Sequence, residues 1–142
     1  MARDLERFRS AQKNSYESAL AEMRRGRKNG HWMWYIFPQI SGLGMSATSL
    51  FYGVRDLQEA RDYMADPMLG PRLIEISEAL LRIDTNDPMD VFWYPDDLKL
   101  RSCMTLFAVA APEETVFRKV LDKFFNGRMD RATLEILGID EI

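Results

Sequence analysis

Residues 96–112, "DDLKLRSCMTLFAVAAP", decide how the rest of the chain reads. Leu100, Cys103, Met104, Phe107 and Ala111 recur at steps of three and four, the spacing that gathers side chains on one face of an α-helix. Pro112 ends the pattern, since proline lacks the N–H that a further turn needs. Lys99 and Ser102 fall on the opposite, polar face. Asp97 and Arg101 stand four apart, the separation of a stabilising ion pair on a helix. A helix with so apolar a face needs other helices to cover it.

The flanking sequence supplies them. "SYESALAEMRR" places Tyr16, Ala19, Leu20 and Met23 on one face, with Ser15 as the expected N-cap. "RDLQEARDYM" opens with Asp56 and Glu59, a variant of the capping box, and buries Leu57, Ala60 and Met64. Asp66-Pro67 and Asp87-Pro88 each read as a cap with proline in the first turn. "PRLIEISEALLRI" aligns Leu73, Ile76, Leu80 and Ile83. "TVFRKVLDKFFNG" is amphipathic through Val116, Phe117, Val120, Leu121, Phe124 and Phe125, and Asn126-Gly127 stops it. A last short helix runs from Arg131 to Leu137. "HWMWYIF", residues 31–37, has strand-like composition but no second strand to pair with. The expected fold is all-α: one compact multi-helix domain over residues 1–142, with an irregular aromatic segment at 29–45.

The chain of 142 residues is 46% hydrophobic and 29% charged, which is a globular composition. Its net charge of −3 argues against general attraction to nucleic acid or anionic lipid. The charge is uneven. Residues 1–31 hold eight Lys/Arg against four Asp/Glu, whereas residues 32–142 hold eleven against eighteen. Cys103, the only cysteine, reads as a small buried hydrophobe. The charged start "MARDLERFRS" has no leader character and no apolar run is long enough to span a bilayer, so a cytoplasmic setting without membrane partners is expected. One histidine and one cysteine make a poor metal site, and no metal or cofactor is expected.

The basic excess adjoins "GRKNGHWMWYIFPQISGLG", residues 26–44, where planar rings meet cations. If the helix begun near Ser15 continues to residue 28, Arg24, Arg27 and Lys28 share a face. The same cations also complement a helix C-terminus. "GLGMSAT" enters a helix whose first N–H groups can hold an anion, and its glycines equally serve a plain turn. Rings of Trp32, Trp34 and Tyr52 offer stacking surfaces, and Arg27, Lys28 and Lys99 offer charge to an anion. Gln39 and Ser102 offer hydrogen bonds. His31 is the side chain suited to proton transfer, with Asp97 as its carboxylate partner.

Several words of this sequence together resemble a bacterial family classed as domain of unknown function 1810. They are Gly26-Arg27-Lys28, His31-Trp32-Met33-Trp34, Ile36-Phe37-Pro38-Gln39, Gly42-Leu43-Gly44 and Asp97-Leu98-Lys99-Leu100-Arg101-Ser102. The resemblance runs from Leu5 to Leu137 and implies a small, single-domain, all-helical architecture, with no established activity. The label calpastatin-like, sometimes attached to the family, does not suit a chain of globular composition, because calpastatin is a long disordered inhibitor. The order of the aromatic and basic block and the later "LRSCMTLFA" block is loosely similar to enzymes acting on ADP-ribose or N-glycosides of phosphorylated ribose. Their acidic residue has no matched position here. The expected function is binding of a small anionic, partly planar ligand, a nucleotide or a phosphorylated sugar, in a pocket between residues 26–44 and the helix from Asp97. The alternative is a protein-interaction module whose aromatics and arginines form a contact patch.

Overall fold

The computed structural model describes residues 2–139, with side chains from Leu5 onward, so the single domain read across 1–142 is seen over those residues. Among them lie ten helices: α1 (Ala2–Gln12), α2 (Tyr16–Arg25), α3 (Met33–Ile36), α4 (Ala47–Tyr52), α5 (Leu57–Ala65), α6 (Leu69–Leu81), α7 (Pro88–Val91), α8 (Asp96–Ala110), α9 (Val116–Phe125) and α10 (Arg131–Leu137). The all-α expectation is met.

Helix α8 is the centre, and α5, α7, α9 and α10 pack on it, while α6 joins α2, α5 and α9. From Ser102 to Ala108 every residue of α8 is buried, so the single apolar face read from sequence is an underestimate. A helix covered on all sides can be apolar on all sides. Its buried polar residues bond at short range, Thr105 Oγ1 donating to the Arg101 carbonyl at 2.8 Å. Phe107 stacks at a tilt on Tyr63, 5.2 Å away, and on Phe117, 5.9 Å away. Phe8 of α1 meets Tyr63 edge-on at 5.2 Å, which anchors the N-terminal helix to the same core. Cys103 is fully buried, as expected, and burial pushes its thiol pKa well up.

The caps follow the sequence. Asp56 accepts from the Glu59 N–H, Asp66 from Met68 and Leu69, and Asp87 from Met89. Asn126 and Gly127 both adopt positive φ after α9. Ser15 differs: it precedes α2 but makes no capping bond with its side chain, and its Oγ instead accepts from the Tyr35 hydroxyl at 3.0 Å.

Two departures shape the site. Helix α2 ends at Arg25, because Gly26 takes up the left-handed conformation (φ +91°) and closes the helix through Glu22 and Met23 carbonyls. Arg24, Arg27 and Lys28 therefore do not share a helical face. The aromatic segment, expected to be irregular, holds one helical turn, α3. It is followed by an isolated parallel bridge between Ile40 and Val54, in which Ser41 N donates to Val54 O at 2.7 Å and Val54 N to Gln39 O at 2.9 Å. The bridge pins both ends of residues 41–53, so Gln39 stands at a fixed corner.

Candidate functional site

The cations of the basic stretch point in different directions. Lys28 turns inward and is 3% exposed. Its Nζ donates to the Gly30 carbonyl, pairs with Asp96 Oδ2 at 2.9 Å, and lies 5.2 Å from the Trp32 ring centre and 5.8 Å from that of Trp93. A lysine enters such a place only with its charge paired and its donors used. Lys28 N also donates to Val91 O at 2.8 Å, so one residue ties the loop after α2 to the start of α8. Arg27 stays exposed and sits 5.3 Å over Trp93.

Glu22 organises the same loop. Its Oε1 accepts from the N–H groups of Asn29 at 2.8 Å and Gly30 at 3.0 Å, and from Trp32 Nε1 at 2.8 Å. Burial raises the Glu22 pKa, but these bonds, with the Arg25 charge, outweigh it and hold the carboxyl below its ordinary value. Trp32 is thereby a buried packing residue rather than an open stacking surface.

Of the three cations proposed from sequence as anion ligands, Lys99 is the one that lines a groove beside the aromatic segment. Its Nζ lies 4.2 Å from the Trp34 ring centre and 3.4 Å from Asp96 Oδ1. Asp96 thus serves two lysines, which leaves the trio net positive. Beside Lys99 opens a groove of about 260 Å³, bordered by Gln39, Ser49, Leu98, Lys99, Ser102 and Asp130. One wall is the 39–49 stretch, the other is α8, and the start of α10 closes an end.

Asp130, like Ser49, is a polar groove residue that the sequence reading passed over. Its Oδ2 accepts from Thr133 N at 3.1 Å, Thr133 Oγ1 at 2.6 Å and Ser102 Oγ at 3.1 Å. Its backbone N–H donates to Thr105 Oγ1 at 2.8 Å. Arg101 holds the preceding loop, its Nε reaching Arg128 O at 3.0 Å and its Nη2 reaching Met129 O at 2.8 Å. Arg101 thus bonds main-chain carbonyls, and no ion pair to Asp97 forms among the described residues. The α4 N-terminus, read from sequence as either a plain turn or an anion cradle, is a single short helix whose cap is filled: Ser46 Oγ accepts from Ser49 N.

Of the residues named from sequence, the groove gathers Gln39, Lys99 and Ser102, with Trp34 touching it through Lys99. Tyr52 packs elsewhere, against Tyr35 and Phe51 at a separate groove beside α1, where burial raises its pKa. His31 is exposed and has no hydrogen bond to Asp97 among the described residues. Asp97 stands about 160° around α8 from Lys99, since each residue advances a helix by about 100°. It is buried, and its Oδ1 has no hydrogen-bond partner. Trp93 and Tyr94, both exposed, rim this side of the fold, and the run "FWYP" just before the central helix was the signal for them.

Burial raises the Asp97 pKa, with Asp96 and Asp87 adding to the rise and the N–H groups of Leu98 and Asp97 opposing it. An aspartate whose pKa is raised on folding binds more protons folded than unfolded. It therefore lowers stability as pH climbs above the unfolded value, and the penalty vanishes below it. Asp97→Asn is expected to raise the melting temperature at neutral pH by about 3 °C, equivalent to about 1 kcal/mol. The gain shrinks in acid, and a melting curve that shows no gain at neutral pH rules this account out.

Among the described residues no group of three or more His, Cys, Asp or Glu stands close enough to hold a metal, and no helix is long and apolar enough to cross a membrane. No curated protein matches the chain. A solved structure does: the crystal structure of a conserved hypothetical protein from Mycobacterium tuberculosis, 43% identical, superposes with a TM-score of 0.93 over 96% of this chain and 98% of that one. The family described as "Protein of unknown function (DUF1810)" matches residues 2–137. The match spans all the described helices, from α1 through α10, and the whole groove lining, and the chain belongs to this family.

Proposed function

We propose that the groove beside Lys99 binds a small anionic ligand of the nucleotide or phosphorylated-sugar class. The observation that carries the reading is the charge at its mouth: Lys28 and Lys99 share one carboxylate, Asp96, so an anion placed beside Lys99 meets unspent positive charge. The cavity is lined by side chains with hydrogen-bonding ends, Gln39, Ser49, Ser102 and Asp130, alongside the apolar surfaces of Leu43 and Leu98. A few fixed polar groups on an apolar wall is the usual makeup of a small-ligand site. The reading is one of binding, because neither His31 nor Asp97 lines the groove.

The test is a thermal-shift and calorimetric panel of nucleotides and sugar phosphates. Some member is expected to raise the melting temperature, and Lys99→Ala is expected to weaken its binding by about tenfold, the loss typical of one charge-assisted hydrogen bond. A panel without a hit removes the proposal.

A second reading rests on its own observation. Met45 is 86%, Leu50 58% and Phe51 58% exposed on and beside α4, an apolar surface of the kind that marks protein contacts. Light scattering across a concentration series separates the two readings, because only the interaction module gains mass.

A further inference from the structure

Resting on the reading that the groove binds a phosphorylated ligand, we infer that the ligand class is a monosaccharide phosphate, held phosphate-first at Lys99 with its hydroxyls toward Asp130. Three observations converge on this class and on this orientation.

The first is size. At about 260 Å³ the groove lies below the roughly 300–1,000 Å³ of pockets that enclose drug-sized molecules. The groove is open on one side, and a single sugar ring with its phosphate matches its extent, whereas a nucleotide reaches past it.

The second is the lining. No groove residue is aromatic. Trp34, the adjacent ring, has one approach taken by the Lys99 ammonium at 4.2 Å. A base inside the groove therefore finds no ring to stack on, which is the main way proteins hold an unpaired base. The walls instead offer Leu43, Pro95, Leu98 and Ala132, small apolar surfaces suited to the C–H face of a sugar.

The third is polarity. The groove lining holds one cation, Lys99, and one carboxylate, Asp130. The Asp130 carboxylate repels a phosphate and accepts from hydroxyls, so the anion belongs at Lys99. The three bonds that fix Asp130 all end on Oδ2, and none of them ends on Oδ1. An ionised carboxylate is acceptor-only and takes several donors, so Oδ1 is suited to one or two sugar hydroxyls. Gln39 adds both a donor and an acceptor to the same side chain wall.

The experiment is calorimetry on the full chain with ribose 5-phosphate, glucose 6-phosphate, AMP, free ribose and inorganic phosphate. A sugar phosphate is expected to bind at least about tenfold tighter than inorganic phosphate or AMP, the gain of about one good hydrogen bond to a charged acceptor. Asp130→Asn keeps the cap of α10, since asparagine caps as well as aspartate. It is expected to weaken the sugar phosphate by about tenfold while inorganic phosphate, freed of a repelling charge, binds at least as tightly as before, and Lys99→Ala is expected to weaken both. Gln39→Ala serves as a second variant with the same selective loss expected. AMP binding as tightly as any sugar phosphate, or Asp130→Asn and Gln39→Ala both without effect, overturns this inference but leaves the anion-binding reading standing. Binding by none of the five ligands overturns both.

Discussion

Gly70→Ala is expected to destabilise the fold by about 3–5 kcal/mol, lowering the melting temperature by about 10 °C or more. Gly70 is buried in the first turn of α6, where the chain turns back from α5. A Cβ there meets the Met64 carbonyl oxygen at 2.2 Å and the Met64 carbonyl carbon at 3.0 Å. Both obstacles are main-chain atoms at the end of α5, so no rotamer change relieves them. Either α5 and α6 separate or α6 loses its first turn. Because α6 also packs on α2 and α9, separation is felt across half the core. Thermal unfolding followed by circular dichroism measures the effect, and a variant that melts within a few degrees of the parent refutes the close approach.

Glu22→Ala is expected to cost about 3 kcal/mol, because three donors lose a charged acceptor and one of them, Trp32 Nε1, is left buried. Glu22→Gln keeps an oxygen in place and is expected to cost about 1 kcal/mol. Intrinsic fluorescence follows the same event, since loosening residues 29–32 moves Trp32 toward water and shifts its emission to the red. The pH dependence has a defined sign. Hydrogen bonding holds the Glu22 carboxyl below its ordinary value of 4.5, and Asp66 below 3.8 in the same way through Leu69, Met68 and Arg9. A carboxyl with a depressed folded pKa contributes its full stability above the unfolded value and loses it as pH falls through the folded value. Unfolding on acidification is therefore expected to start below about pH 4.5, and Glu22→Gln is expected to make that loss shallower. An acid limb as steep in the variant as in the parent contradicts the role given to Glu22.

Much of the fold was written in local pattern. The apolar steps of α2, α6 and α9 appear as buried faces, and the aspartate caps and the Asn126-Gly127 stop fall where short-range chemistry puts them. Gly26 was also a readable stop, but the basic run across it looked like continued helix. The site was less legible. Lys28 and Arg27 are neighbours in sequence and opposites in burial, a difference set by Asp96, which is remote in sequence. Asp130 carries only the local sign of a helix cap. Its place in the groove comes from Ser102 and Thr105, two α8 residues far from it along the chain. Tyr52 was grouped with the tryptophans by chemistry, and its neighbours Phe8 and Tyr35 took it to another face.

The bridge between Ile40 and Val54 gives the molecule an unequal division of labour. Residues 41–53 leave and rejoin the framework at one spot, and none of the residues of α4 inside that excursion is buried. They nevertheless furnish Leu43, Gly44 and Ser49 to one side of the groove, whereas Lys99, Ser102 and Asp130 stand on the core helices opposite. One wall of the groove therefore belongs to the core helices and their junctions, and the other to an excursion held at its edges. The bridge, Arg7 on the Phe51 and Gly53 carbonyls, and Tyr52 against Phe8 and Tyr35 hold it there.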